Sequence, residues 1–401
     1  MKKKHFHASD FHGISRLAID ATEGLTDLVE AMHWRIIGQH GAPEESSQAA
    51  MSGISGMVYQ SIRKVTGLAG AGINTLLSQL VPILDVQNSS PEREAVLAAL
   101  NGVLGDYLAG SCNPLAIDMR LRREGLPLVL EKQALAASIP ESGGKLLVMV
   151  HGLCRSDLQW RRRGHDHGTA LARDLGYTVL YLHYNSGLHI SINGREFSGL
   201  LEGLVKQWPV PVESVTLIGH SMGGLVARSA CHYGKAAGHG WLDYLSNLVF
   251  IGTPHHGAPL ERGGNWVGTM LGSNPYAAPF ARLGKIRSAG ITDLRYGNLV
   301  DEDWVDRDRF EPVPDLRHPV PLPKGVKSYA IAATIEKQEK NPDDRLWGDG
   351  LVPVDSALGR HKIPAFNLNL PKSRQWIGYD MHHLDLLSRP AIYETLRRWL
   401  K

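Results

Sequence analysis

The stretch of sequence that decides the fold is SVTLIGHSMGGLVARSA, residues 214–230. It begins with an apolar run of strand length at residues 214–218 and ends with a helix-like stretch from residue 225. Between the two lies Gly219-His220-Ser221-Met222-Gly223, which matches the pattern G-x-S-x-G. A serine in such a strand-to-helix turn stands above the edge of the sheet, and glycines surround it because larger side chains would collide there. The context therefore predicts that Ser221 is a nucleophile on a sharp turn.

Four further apolar runs of strand length occur at residues 145–150, 178–182, 248–251 and 328–332. Helical patterns lie between several of them. Unbroken apolar strands that alternate with helices are typical of a parallel sheet covered on both faces. Residues 116–121 and 126–130 flank a Glu124-Gly125 turn, which predicts a hairpin ahead of this sheet. We therefore expect an α/β protein with a mostly parallel, doubly wound sheet.

Composition and charge exclude several classes of protein. The chain has 401 residues, of which 43% are hydrophobic and 21% charged, so neither wholesale disorder nor a multi-pass membrane protein fits. The net charge of +3 is too small to indicate nucleic-acid binding by bulk electrostatics. Three cysteines without metal-type spacing argue against a disulfide framework. We expect no cofactor, no metal and no nucleic-acid partner.

The N-terminus starts with lysines, but Asp10 and His12 stand where an export signal needs its apolar core. This pattern predicts a cytoplasmic protein without a secretory signal peptide. Residues 65–84 carry no charge and are long enough to cross a bilayer. Their glycines and polar side chains favour a buried or partner-facing helix over a span, and association with a membrane stays open.

Residues 1–112 have the pattern of a separate helical region. Apolar positions from Ile14 to Met32 are spaced three and four apart, and a second periodicity covers residues 54–84. Ser89-Ser90-Pro91-Glu92 has the chemistry of a helix start and predicts a third helix through Leu108. We expect this region to pack on the rest of the chain. Peripheral membrane contact and self-association are the alternatives.

Motifs on either side of Ser221 indicate a family. They are His151-Gly152-Leu153, Gly252-Thr253-Pro254-His255-His256-Gly257, Gly348-Asp349-Gly350-Leu351-Val352-Pro353 and His383-Leu384-Asp385. With these motifs in this order the chain resembles the α/β-hydrolase superfamily, in particular its lipase and esterase branch, and it is similar to GPI inositol-deacylase-like domains. The resemblance implies a hydrolase domain at residues 113–401 with a cap or lid inserted at residues 259–326.

The resemblance also implies a catalytic triad in the order Ser221, Asp349, His383. A serine hydroxyl is a poor nucleophile, so a histidine must take its proton and a carboxylate must orient that histidine. His382 is an adjacent rival for the base, and the His-Leu-Asp pattern favours His383. Asp343 and Asp344 are rivals for the acid, and the Gly-Asp-Gly-Leu-Val-Pro context favours Asp349.

Acyl transfer also needs donors aimed at the oxyanion, and the backbone amides of Leu153 and Met222 are expected to supply them. Cys154 should lie close to this site as a small packing residue. Residues 184–195 are expected at the carboxyl edge of the sheet, where they would shape the acyl or alcohol pocket. In similar secreted lipases a calcium ligand stands where Asp385 stands here, but no partner carboxylate for it can be located.

From these features we expect a serine hydrolase that cleaves small carboxylic esters or lipids through an acyl-enzyme. One alternative keeps the triad but acts on an amide, a thioester or an inositol-linked acyl chain. The other is a non-enzymatic binding module that uses the hydrolase fold at a membrane or for a partner. The complete Ser-Asp-His set argues against this last alternative.

Overall fold

The computed structural model describes residues 91–257, 287–309, 314–337 and 348–401, together with Gly13. Several predictions fall on other residues. The two helical periodicities before residue 90, the uncharged stretch 65–84, residues 259–286 of the predicted lid, and Asp343 and Asp344 all lie outside the described residues.

Eight strands form one mixed sheet in the order β2-β1-β4-β3-β5-β6-β7-β8. The six strands from β3 to β8 run parallel, while β1 pairs antiparallel with both β2 and β4 at one edge. The strands are β1 (Arg120–Arg123), β2 (Leu126–Pro127), β3 (Lys145–Val150), β4 (Thr178–His183), β5 (Ser214–His220), β6 (Leu245–Ile251), β7 (Lys327–Ala333) and β8 (Gln375–Gly378). The predicted parallel sheet and the predicted hairpin are confirmed.

Helices connect the strands and cover both faces of the sheet. They are α1 (Pro91–Gly110), α2 (Lys132–Ser138), α3 (His167–Leu175), α4 (Ile190–Gln207), α5 (Met222–Ala237), α6 (Ala289–Asp293), α7 (Val354–Ala357) and α8 (Pro390–Leu400). Short 3-10 turns occupy Asp157–Trp160, Gly240–Tyr244, Asp301–Asp303, Pro364–Phe366, Lys372–Arg374 and Asp385–Leu387. The third predicted N-terminal helix is thus present as α1.

Two hydrophobic clusters lie on opposite faces of the sheet because alternate side chains of a strand point to opposite sides. Leu146, Val148 and Val150 of β3 belong to the cluster that includes α1, α4 and α5. Leu147 and Met149 belong to the other cluster, which includes α3 and α8. Both faces are therefore buried, as the unbroken apolar strands predict.

The strand order changes direction at β3. From β3 the chain crosses to β4 on one side, and after α4 it returns to β5 on the other side. In parallel sheets such a reversal leaves a crevice outside the carboxyl ends of the two strands that flank it. The segments that follow β3 and β5 therefore meet at one place, and these segments contain Leu153 and Ser221.

Helix α1 belongs to the core of the sheet domain, although it lies in the predicted N-terminal helical region. Ala99, Leu100, Val103, Leu104 and Leu108 are buried in the same cluster as the inner side chains of β3 and β5. Among the described residues, no helix is long and apolar enough to cross a membrane.

The burial of α1 gives a test of its place in the core. Leu108 is fully buried, and Leu108→Ala should lower the free energy of unfolding by about 2–5 kcal/mol because it leaves a cavity. Leu126→Ala is the matched control, since this β2 side chain is 60% exposed and its loss should cost less than about 0.5 kcal/mol. Urea unfolding followed by circular dichroism measures both. Equal stability of Leu108→Ala and the wild type would contradict this placement.

Candidate active site

Ser221 lies in the turn between β5 and α5 and has a strained backbone. Its φ of 54° and ψ of −127° are unusual for a residue with a side chain. Its amide donates a 2.8 Å hydrogen bond to the carbonyl of Ile251 at the end of β6, and its own carbonyl accepts one from Gly224. The turn is therefore fixed from both neighbouring elements.

Two glycines after Ser221 are required by close contacts. A Cβ at Gly223 would overlap the carbonyl oxygens of Val150 and His151, and a Cβ at Gly224 would overlap the side chain of Thr253. The first turn of α5 therefore lies directly against the ends of β3 and β6. The sequence pattern predicts these glycines for this reason.

His383 and Asp349 form a buried pair on the loops that follow β7 and β8. A 2.7 Å hydrogen bond joins His383 Nδ1 to Asp349 Oδ2. The other carboxylate oxygen, Oδ1, accepts hydrogen bonds from the amides of Leu351 and Val352 at 3.0 and 2.8 Å. Because a carboxylate only accepts, Nδ1 carries the proton and Nε2 of the neutral ring is an acceptor. In this state the imidazole can remove a proton from a hydroxyl.

The ring of His383 lies beside the turn that carries Ser221. It is 4.7 Å, between ring centroids, from His220, the residue before Ser221. The ring also approaches Gly252, since a Cβ on this glycine would lie 3.1 Å from His383 Cε1. Gly252 directly follows Ile251, whose carbonyl accepts the hydrogen bond from the Ser221 amide. His383 Nε2 is buried and has no hydrogen-bond partner among the described residues. The structure thus brings the three predicted triad residues to one site.

Leu153 and Met222 are both buried next to Ser221. Gly152 contacts Ser221 so closely that a Cβ on it would lie 2.9 Å from the Ser221 Cβ. Met222 is the first residue of α5, so its amide has no acceptor within the helix and lies at the positive end of the helix dipole. Both predicted oxyanion donors therefore come from segments in contact with Ser221.

His382, the rival for the base, lies in a different environment from that of His383. His382 is exposed, and its amide, not its ring, contacts Asp385. Asp343 and Asp344, the rivals for the acid, lie outside the described residues. Asp385 stands at the position of the calcium ligand in similar secreted lipases. Here it forms ion pairs with Arg163 at 3.3 Å and Arg389 at 3.7 Å, so guanidinium groups neutralise its carboxylate.

The described part of the predicted lid, residues 287–309 and 314–326, packs against the body of the protein. Ile291, Leu294, Leu299, Val300 and Val320 all belong to the core cluster that contains α4 and α5. Residues 184–189 follow the end of β4, and residues 190–195 form the first turns of α4.

The sequence did not indicate the contacts that Ser186 and α1 make with the segment after β3. The hydroxyl of Ser186 accepts a 3.1 Å hydrogen bond from the amide of Cys154, the residue after Leu153. Gly102 of α1 lies directly against Cys154. These contacts join residues that are 32 and 52 positions apart, and only the position of residues 184–187 at the sheet edge hinted at one of them.

Several buried histidines surround the site in neutral form. Burial lowers the pKa of His151 to about 3 and that of His167 to about 4. His220 and His255 are fully buried, and burial together with neighbouring cationic groups lowers their pKa well below the ordinary value. His167 Nε2 is 3.0 Å from the carbonyl of Leu386 and thereby connects α3 to the loop after His383.

Comparison with known proteins agrees with this architecture. Residues 141–313 match a family model described as the PGAP1-like alpha/beta domain. The resemblance to the α/β-hydrolase superfamily that the motifs indicate is confirmed by this match. No curated relative matches the chain by sequence.

Several solved structures, lipases among them, are similar to this chain at low identity. The mature lipase BlEst2 of Bacillus licheniformis is 18% identical, with a TM-score of 0.41, over 64% of this chain and 92% of its own. EstA from Clostridium botulinum is 14% identical, with a TM-score of 0.40, over 65% and 87%. Aspergillus fumigatus lipase B is 14% identical, with a TM-score of 0.38, over 96% and 83%.

The buried neutral histidines predict that the protein loses stability in acid. Their folded-state pKa lies below the unfolded value of about 6.5, so the unfolded chain binds more protons as the pH falls below that value. For His167, the free energy of unfolding should fall by about 1.4 kcal/mol per pH unit between about pH 6.5 and its folded pKa of about 4.

Urea unfolding at a series of pH values from 7.5 to 5 measures this slope. His167→Gln should be less stable at pH 7.5 but should have a shallower pH dependence than the wild type. The exposed His382→Gln is the control and should keep the wild-type slope. A wild-type stability that does not change with pH over this range would contradict the prediction.

Proposed function

We propose that this protein is a serine hydrolase that cleaves carboxylic esters through an acyl-enzyme. The observation that carries the proposal is the buried His383, which is paired with Asp349 at Nδ1. Its Nε2 has no hydrogen-bond partner in the described part of the chain, and its ring lies beside the strained turn of Ser221. The α/β-hydrolase fold supports it, because this fold exposes a serine at such a turn above the carboxyl edge of the sheet.

In the acylation step, His383 Nε2 takes the proton of Ser221 as Oγ attacks the ester carbonyl. The tetrahedral intermediate has an oxyanion, which the amides of Leu153 and Met222 stabilise. When the intermediate collapses, His383 returns the proton to the leaving alkoxide, and the acyl group stays on Ser221. Asp349 keeps the ring in the reactive tautomer and stabilises the imidazolium that forms.

Deacylation repeats these steps with water as the nucleophile. His383 removes a proton from water, which attacks the acyl-enzyme carbonyl, and the same two amides stabilise the second oxyanion. Collapse releases the carboxylic acid and restores the Ser221 hydroxyl. Apart from the ester and water, the groups that take part in this cycle are Ser221, His383, Asp349 and the two backbone amides.

A second candidate substrate is an acyl chain esterified to inositol. The match to the PGAP1-like family and the resemblance to GPI inositol-deacylase-like domains favour it. A panel of p-nitrophenyl esters, a thioester, an anilide and an acylated inositol distinguishes this candidate from a simple esterase. Preferential hydrolysis of the acylated inositol would support the second candidate.

Substitutions in the triad test the proposed chemistry. With p-nitrophenyl butyrate as substrate, Ser221→Ala should abolish turnover, and Asp349→Asn and His383→Ala should each lower kcat by roughly 10⁴-fold, because the base is lost or held in the wrong tautomer. His382→Ala is the matched control and should keep wild-type kcat and KM. Initial rates of the purified variants measure these effects. Undiminished hydrolysis by Ser221→Ala would exclude the proposed mechanism.

A further inference from the structure

The loop that carries the Leu153 amide runs from the end of β3 to Asp157, and we call residues 151–157 the oxyanion loop. Within it, Cys154 has a φ of 57°, a left-handed backbone conformation that is costly for a residue with a side chain. Such a conformation persists only where neighbouring contacts stabilise it. Burial raises the pKa of the Cys154 thiol to about 12, so this side chain is a packing group and not a nucleophile.

Two contacts stabilise Cys154. Its amide donates a 3.1 Å hydrogen bond to Ser186 Oγ, and Ser186 is only 1% exposed. On the other side Gly102 of α1 lies so close that a Cβ there would overlap the Cys154 Sγ and approach its Cα and amide nitrogen to 2.8 Å. Leu153 is therefore confined between Gly152, which contacts Ser221, and this anchored Cys154.

Further contacts attach α1 to the same region. Asn185 Nδ2 donates a 2.9 Å hydrogen bond to the carbonyl of Gly105, and Asn185 Oδ1 accepts one from Gly187. The loop after β4, which contains Ser186, is thus bound to α1 next to Gly102. Ser288 Oγ also donates a 2.6 Å hydrogen bond to the Gly102 carbonyl.

An ion-pair network joins the first turns of α1 to the far end of the oxyanion loop. Arg122 Nη1 lies 2.6 Å from Glu94 Oε2 and 3.2 Å from Asp157 Oδ1. His183 Nδ1 is also 3.2 Å from Asp157 Oδ1. The two carboxylates are buried, Arg122 lies between them, and Arg93 Nη1, 3.4 Å from Glu94 Oε1, supplies a second positive charge. Helix α1 therefore contacts the oxyanion loop at Cys154 and, through Arg122, at Asp157.

We propose that Gly102 of α1 and the hydroxyl of Ser186 are positioning residues that orient the oxyanion amide of Leu153. This inference rests on the proposed ester hydrolysis and assigns a catalytic purpose to a helix of the N-terminal region. Neither residue has to touch the substrate for this effect. They act through Cys154, so their loss should weaken transition-state stabilisation and leave substrate binding nearly unchanged.

Gly102→Ala in the full chain tests the steric contact, because the added Cβ must displace Cys154. Removing an oxyanion donor lowers kcat by about 10²- to 10³-fold, so displacing one should lower kcat by at least about 10-fold with KM changed by less than about threefold. Gly110→Ala is the matched control, since Gly110 is exposed on the same helix and its added Cβ meets nothing within 4 Å. This control should keep wild-type kcat and KM.

A compensating substitution separates positioning from a general loss of structure. Glycine adopts a positive φ easily and lacks Sγ, so Gly102→Ala/Cys154→Gly should recover at least about threefold in kcat over Gly102→Ala alone. The inhibition constant of a trifluoromethyl ketone, which forms an oxyanion adduct, should increase in parallel with the loss of kcat/KM. A merely structural defect would lower the melting temperature and leave this inhibition constant unchanged.

Ser186→Ala decides the question if Gly102→Ala does not fold, because it removes one acceptor and adds no bulk. It too should lower kcat by about 10-fold at nearly constant KM. Activity that depends on Ser221 but is unaffected by Gly102→Ala and Ser186→Ala would overturn the positioning inference and leave the proposed function standing. Hydrolysis that Ser221→Ala does not reduce would overturn both.

Discussion

The strained, positive-φ backbone of Ser221 is the constraint on which the rest of the site depends. Such a conformation costs about 1–3 kcal/mol, and the surrounding structure must compensate for it. The compensation comes from the hydrogen bond to Ile251 and from the close contacts of Gly152, Gly223 and Gly224 with neighbouring backbone and side-chain atoms. These contacts require β3, β5 and β6 to end at one level. The arrangement of the parallel strands therefore determines the backbone geometry of Ser221.

Electrostatics divides the buried polar groups of this site into two kinds. His383 is paired with a carboxylate, whose second oxygen is bound by two amides, so the pair can accept a proton without an uncompensated charge. Among the residues that the structure describes, no carboxylate is bonded to the rings of His151 and His220, and burial lowers the pKa of each. They stay neutral and contribute packing and hydrogen bonds. This contrast favours His383 over His151 and His220 as the base.

The sequence predicted the central sheet and the residues that meet at its edge, because both have strong local signals. Apolar runs mark β3 to β7, and glycine-rich motifs follow three of them. It did not predict β8, which has only four residues and no buried run. The hydrogen bond of Cys154 to Ser186 and the contact with Gly102 depend on how distant segments pack, and no local pattern encodes such contacts. For the same reason the sequence predicted that α1 is a helix but did not predict that it packs in the core of the sheet domain.

The central claim is that the Ser221 hydroxyl is the activated nucleophile of this site. The most direct measurement is labelling of the full chain with a fluorophosphonate, followed by mass spectrometry of the digested protein. One phosphonyl adduct per chain is expected, located on Ser221, with labelling strongly slowed in His383→Ala. An intact protein that takes up no label, or a label on another residue that persists in Ser221→Ala, would contradict it.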